Sequence, residues 1–210
     1  RSSNEIRPTD AGLRILDQAQ RVLEEADMIK QLAKEEQNEL EGSFKLGLIF
    51  TVAPYLLPKL IVSLRDLAPK MPLMLEENHT AVLTDMLKKG ELDAIVVADP
   101  YQEAGVVTIP LYDEPFFVIT PKGHVFEEMD EITTQELADE QVLLLTEGNC
   151  MRDQVLDSCV ELASRQRIKG LTNTLQGCSI NTIRHMVASG LGISVLPATS
   201  LTENDHMLFS

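Results

Sequence analysis

The sequence has no tryptophan, 3 cysteines and 4 histidines, and aromatic residues make up 4% of its 210 positions. No two cysteines form a CxxC pair. His79, His124, His185 and His206 lack ligand-like spacing with one another or with the cysteines, so no metal is expected. Three cysteines are also too few and too uneven for a disulfide framework. No apolar run approaches the ~20 residues needed to cross a bilayer. The opening Arg1-Ser2-Ser3-Asn4 lacks the basic-then-apolar order of a signal peptide, which leads us to expect a cytoplasmic location and no membrane contact. Basic residues are scarce too: 18 against 33 acidic ones leave a net charge of −15. Phosphate attraction across such a chain is unfavourable, so any DNA contact is expected from residues outside it. The chain does not begin with Met and is read as a fragment.

What is present divides into two textures. After Pro8-Thr9-Asp10 a helical pattern runs over residues 10–41 without proline, and Thr9 or Asp10 can cap its start. Ile15, Val22 and Ile29 recur at seven-residue intervals, flanked by Leu16 and Leu23 and by Ala19, Ala26 and Ala33. Such a rod, roughly 45 Å long, either packs on its own domain or serves as a dimerising linker. The second fits better, because little neighbouring sequence precedes the Gly42-Ser43 break.

From Phe44 short strands alternate with amphipathic helices. Strands are expected at Phe44 to Phe50, Leu73 to Leu75, Ala94 to Val97, Val106 to Leu111, Pro115 to Thr120, Val142 to Thr146 and Ile193 to Leu196. The helices between them include one from about Met151 to Arg165 and one from Ser179 to Ser189. This alternation predicts an α/β fold with parallel sheets, split into lobe I over 42–112 and lobe II over 113–210.

The segment Leu143 to Gln154 reads as a buried strand, a turn and the first turn of a helix, which sets Cys150 at a helix N-terminus. Free amides, the macrodipole and Arg152 there favour thiolate, the form that attacks a peroxide oxygen; Asp153 opposes them, and the sign of the net shift stays open. Cys159 follows nine residues later. If the stretch between is helical, the rise is ~13.5 Å with the thiols on opposite sides, whereas a disulfide needs Cα atoms roughly 4.4 to 6.8 Å apart. Any bond between them therefore requires the intervening segment to unwind. Spacing alone favours two small core residues over a reactive pair, and Cys178 reads likewise.

The run Glu147-Gly148-Asn149-Cys150-Met151-Arg152-Asp153-Gln154, with Cys159 following, resembles the peroxide-sensing OxyR family of LysR-type transcription regulators. Leu46 to Pro58, Leu111 to Pro115 and Ile183 to Pro197 fit the same family, so the likeness covers nearly the whole chain. It implies a two-lobed, periplasmic-binding-protein-like regulatory domain preceded by a long linker helix, with residues 1–9 the remnant of a winged helix-turn-helix wing. It also implies that the strand and helix completing lobe I lie beyond Ser210. Cys150 becomes the peroxide-reactive cysteine and Cys159 the resolving one. Thr51, Thr80, Asn149, Arg152 and Asp153 are implied to orient peroxide. Many relatives carry histidine where this chain has Asn149, so the proton acceptor is not a histidine there, while an amide can still donate to peroxide. Read from sequence alone, Thr51 and Thr80 also suit helix caps.

The implied partners are hydrogen peroxide, DNA through the missing N-terminal domain, further copies of the chain in a dimer or tetramer, RNA polymerase and a cellular thiol reductant. No cofactor is expected. Two alternatives compete: a LysR-type regulator sensing a small organic effector in the inter-lobe cleft, and a thiol peroxidase. The second is disfavoured by the linker helix and by the absence of any sequence signal for a turnover partner, so the chain is not expected to be an enzyme.

Overall fold

The computed structural model describes residues 9–34, 40–169, 176–177 and 179–201. The wing remnant, apart from Thr9, and Cys178 lie outside the described residues. Helix α1 (Asp10–Lys34) is 25 residues, a length of about 37 Å. Thr9 caps it, its Oγ1 accepting from the Gly12 amide at 3.1 Å. Ile15, Leu16, Val22, Leu23 and Ile29 are 56–69% exposed, so the apolar stripe has no cover among the described residues.

Lobe I is built on a three-stranded parallel sheet of order β2-β1-β3. Its strands are β1 (Phe44–Leu48), β2 (Leu73–Glu77) and β3 (Ala94–Val96), joined through α2 (Ala53–Leu67) and α3 (Thr80–Lys88). Leu46, Leu48 and Ala53 form one cluster with residues of α2. Ile49, Leu83 and Leu92 form another that includes residues of α3. A Cβ on Gly47 would lie 2.7 Å from Leu92 Cδ1 and 2.8 Å from Leu83 Cδ2, so a side chain there would push this layer off the strand. Among the described residues the strand expected at Val106 to Leu111 has no paired neighbour and is not formed; Val107, Ile109 and Leu111 are 65–88% exposed, and a strand needs a ladder to hold it.

Lobe II holds β4 (Phe116–Ile119), α4 (Thr134–Asp139), β5 (Val142–Leu145), α5 (Cys150–Ser158), α6 (Val160–Lys169), β6 (Gln176–Gly177), α7 (Ile180–Ala188) and β7 (Ile193–Pro197). The sheet order is β4-β7-β5-β6. It is not wholly parallel as expected, because edge strand β4 runs antiparallel to β7, an arrangement an edge accepts without a crossover helix. Strand β5 is buried on both faces, and its side chains alternate strictly. Val142 and Leu144 join Val155, Cys159, Leu162 and Ile193, while Leu143 and Leu145 join Met151, Ile183, Val187 and Leu196. Each fully buried Leu or Ile contributes about 2 kcal/mol through removal from water.

The single helix expected over Met151 to Arg165 is instead two. At Cys159 the backbone leaves the helical region (φ −130°, ψ 85°), and α6 then packs against α4. The break lets Cys159 and Leu162 both enter the core beneath β5.

Candidate functional site

Cys150 begins α5, as the sequence predicts, yet its side chain packs against the Ile49, Leu83 and Leu92 cluster of lobe I. It therefore sits where the lobes meet. The Thr80 hydroxyl hydrogen-bonds the sulfur, and the nearby amides of Met151, Cys150 and Ala98 also favour its thiolate. Burial pushes the thiol above the ordinary cysteine range, and these donors only partly offset it. The sign left open by the sequence is thus upward: desolvation outweighs the helix N-terminus.

Thr80 is the first residue of α3, whose N-cap is His79, so its hydroxyl serves Cys150 rather than the helix end. Thr51 is 8% exposed in the turn after β1, and the N-cap of α2 is Val52. A cleft is lined by Thr51, Ala98, Tyr101, Cys150 and Gln154, among others. Asn149 is buried, and its Nδ2 donates to the Thr146 carbonyl at 3.0 Å and to Thr146 Oγ1 at 3.3 Å. Arg152 Nη1 donates to the Leu145 carbonyl at 3.2 Å, and Asp153 is exposed on the first turn of α5. The structure thus lines the cleft with Cys150 and Thr51, sets Thr80 beside Cys150, ties Asn149 and Arg152 to the backbone of lobe II, and leaves Asp153 facing solvent.

Both Cys150 and Cys159 are free thiols. Cys159 is 2% exposed, and its Sγ donates to the Thr134 carbonyl at 3.4 Å. Thr134 is held in turn by a capping box, Thr133 Oγ1 accepting from the Glu136 amide while the Glu136 carboxylate accepts from the Thr133 amide. With 150–158 helical, the two thiols are about 13 Å apart along the axis and belong to different clusters.

Two bonds not anticipated from sequence cross between the lobes. His79 Nδ1 donates to the Gly148 carbonyl at 3.1 Å, and Gln154 Nε2 donates to the Asp99 carbonyl at 2.7 Å. Neither carries a sequence signal, since each joins a side chain to a backbone carbonyl 55 or 69 residues away. Among the described residues no group of three or more His, Cys, Asp or Glu can hold a metal ion, and no helix is long and apolar enough to cross a membrane.

Two lobes, each a sheet flanked by helices, with a cleft between them and a long leading helix, define an effector-domain architecture. Residues 37–208 match the LysR substrate binding domain model, and the chain belongs to that family, whose domains have a periplasmic-binding-protein-like fold. OxyR proteins are among its relatives. The DNA-binding transcriptional dual regulator OxyR of Escherichia coli K12 is 33% identical over 201 residues, 96% of this chain and 64% of that protein. The reduced form of OxyR from N. meningitidis is 78% identical with a TM-score of 0.77, covering 80% of this chain and 78% of that one. A hydrogen-peroxide-bound OxyR mutant from Corynebacterium glutamicum is 31% identical with a TM-score of 0.72, covering 94% of this chain and 61% of that one. The chain thus spans 64% of the length of the E. coli relative.

Proposed function

We propose that this chain is the peroxide-sensing part of a LysR-type transcription regulator, with Cys150 as the reacting thiol and Cys159 as its disulfide partner. The observation that carries the reading is the place of Cys150. A thiol sits at the junction of two lobes, bonded by a hydroxyl from the far lobe, while a second thiol closes the core at a helix break. Hydrogen peroxide attacked by the Cys150 sulfur gives a sulfenic acid and releases water. Condensation with the Cys159 thiol then forms the S–S bond and releases a second water. Closing that bond requires α5 to unwind, because its helical length exceeds disulfide reach. Unwinding withdraws Met151, Val155 and Cys159 from the cores of lobe II, so a local oxidation becomes a remodelled surface. Thr51 and Thr80 orient the incoming peroxide beside Cys150, and Asn149 and Arg152 hold the turn and first helical turn that carry it.

The output follows from the same reading. DNA is bound through a domain outside this chain, copies of the chain associate as dimers or tetramers through surfaces that include the exposed stripe of α1, and the change is read out to RNA polymerase. A cellular dithiol reductant reverses it. The chain acts stoichiometrically rather than by turnover, and in the cytoplasm. Peptide mass spectrometry on the full-length protein before and after one equivalent of hydrogen peroxide tests the chemistry. A linked Cys150–Cys159 peptide is expected, and two thiols still open to alkylation would remove the reading.

The polar groups that Thr51, Tyr101 and Gln154 present at the cleft beside Cys150 favour a second reading, a small organic effector bound there. On that reading Cys150→Ser leaves the response intact; on ours it abolishes it.

A further inference from the structure

We propose that His79 is a positioning residue for the reaction of Cys150, acting with Thr80 as a two-point clamp that holds the Gly148-to-Cys150 turn of lobe II against lobe I. This rests on the peroxide-sensing reading above. His79 and Thr80 are adjacent at the start of α3, and they grip residues two apart. The His79 ring donates to the Gly148 carbonyl at 3.1 Å, and the Thr80 hydroxyl donates to the Cys150 sulfur. One hydrogen bond fixes a separation and leaves rotation free. Two bonds from one rigid helix end to one turn also fix the direction in which the thiol points.

Several features show that the ring is committed to this task. His79 occupies an N-cap position, which Ser, Thr, Asp or Asn normally fills by bonding the helix's own amides. The His79 side chain makes no such bond, because its Nδ1 is spent across the lobe junction. The Phe50 ring meets the imidazole edge-on, centroids 5.3 Å apart and planes at 77°, and so limits its rotation. Phe50 immediately precedes Thr51, so the clamp and the Thr51 turn are braced against each other. On the far side Gly148 adopts φ +88°, and a Cβ there would already touch the imidazole at 3.8 Å. A carbonyl only accepts, so Nδ1 carries the hydrogen; the bond is made by the neutral Nδ1–H tautomer and by the protonated ring alike.

Two variants of the full-length protein separate donor from bulk. His79→Phe keeps an aromatic ring against Phe50 and removes the donor; His79→Asn restores an N–H near the Nδ1 position. The first readout, taken without peroxide, is the pH profile of Cys150 alkylation by iodoacetamide. His79→Phe is expected to move its midpoint upward, since a drifting thiol loses the Thr80 hydroxyl, and His79→Asn to restore it. The second readout is the rate of Cys150 sulfenic acid formation, expected to fall about three- to tenfold in His79→Phe, the scale of one hydrogen bond, and to recover in His79→Asn. A His79→Phe protein with wild-type profile and rate overturns the proposal, as does a slowed rate that His79→Asn fails to rescue while its melting temperature is normal. If wild-type Cys150 resists peroxide, the sensing reading fails instead, and the alkylation profiles still decide whether the clamp exists.

Discussion

Val155→Ala asks whether α5 must unwind before Cys150 can reach Cys159. Val155 is 4% exposed and shares its cluster with Cys159, Leu162 and Val142. Losing two methyl groups removes about 1.6 kcal/mol of transfer free energy at ~0.8 kcal/mol per carbon, and the residual cavity brings the cost to about 2 kcal/mol. If 150–158 is unwound in the disulfide form, Val155 already faces water there and its truncation costs nothing. The destabilisation then falls on the dithiol form alone. At about 30 mV per 1.4 kcal/mol for a two-electron couple, the reduction potential becomes about 40 mV more negative. The assay is a redox titration in dithiothreitol buffers, with the disulfide fraction read by alkylation and mass. Ile183→Val is the control. Ile183 is fully buried on α7 in the other cluster, among Leu143 and Leu145 of β5 and Leu196 of β7, with Met151 the one member from α5, so most of the loss of about 1 kcal/mol applies to both redox forms and the potential is expected to move by less than about 10 mV. A shift below about 10 mV for Val155→Ala would mean that this helix stays packed in the disulfide form, and the unwinding mechanism would be refuted.

Thr80→Val removes the hydroxyl that donates to Cys150 at nearly constant volume, and stopped-flow oxidation by hydrogen peroxide is expected to slow about tenfold. The pH dependence has a definite sign. The folded thiol titrates above the unfolded one because burial disfavours its thiolate, so its contribution to stability is complete below the unfolded pKa and is lost as pH rises through the folded one. Urea titrations across the alkaline range should show this decline in the wild type, and Cys150→Ser should flatten it. Gly192→Ala is expected to cost more than about 2 kcal/mol, because a left-handed φ of +154° would carry a Cβ into the Gln141 carbonyl oxygen; chemical denaturation checks it. Gln154→Ala cuts the bond to the Asp99 carbonyl and should lower the melting midpoint by an amount equivalent to about 1 kcal/mol.

Much of the molecule is legible in the amino-acid sequence, because local patterns carry it. The unbroken apolar run Leu143-Leu144-Leu145 reads as a strand buried on both faces, and it is one. Gly148-Asn149-Cys150 reads as a turn opening a helix, and α5 starts at Cys150. The Thr133 to Glu136 capping box was equally readable, yet α4 was not expected from it. Two expectations failed where neighbours decide. Val106 to Leu111 has the composition of a strand but no pairing neighbour among the described residues, and the helix after Cys150 breaks at Cys159, where burying that side chain with Leu162 takes precedence over helical continuity.

The thiol geometry divides in the same way. Nine residues of spacing and helix arithmetic sufficed to say that Cys150 and Cys159 are held apart, since rise per residue is a property of the backbone alone. The charge preference of Cys150 could not be read there, because an amide, a basic neighbour and an acidic neighbour act in opposite directions in sequence. Only the tertiary structure brings Leu83, Leu92 and Thr80 of lobe I against the sulfur. The outcome depends on how much water that packing removes, and desolvation is set by residues remote in the chain and adjacent in space.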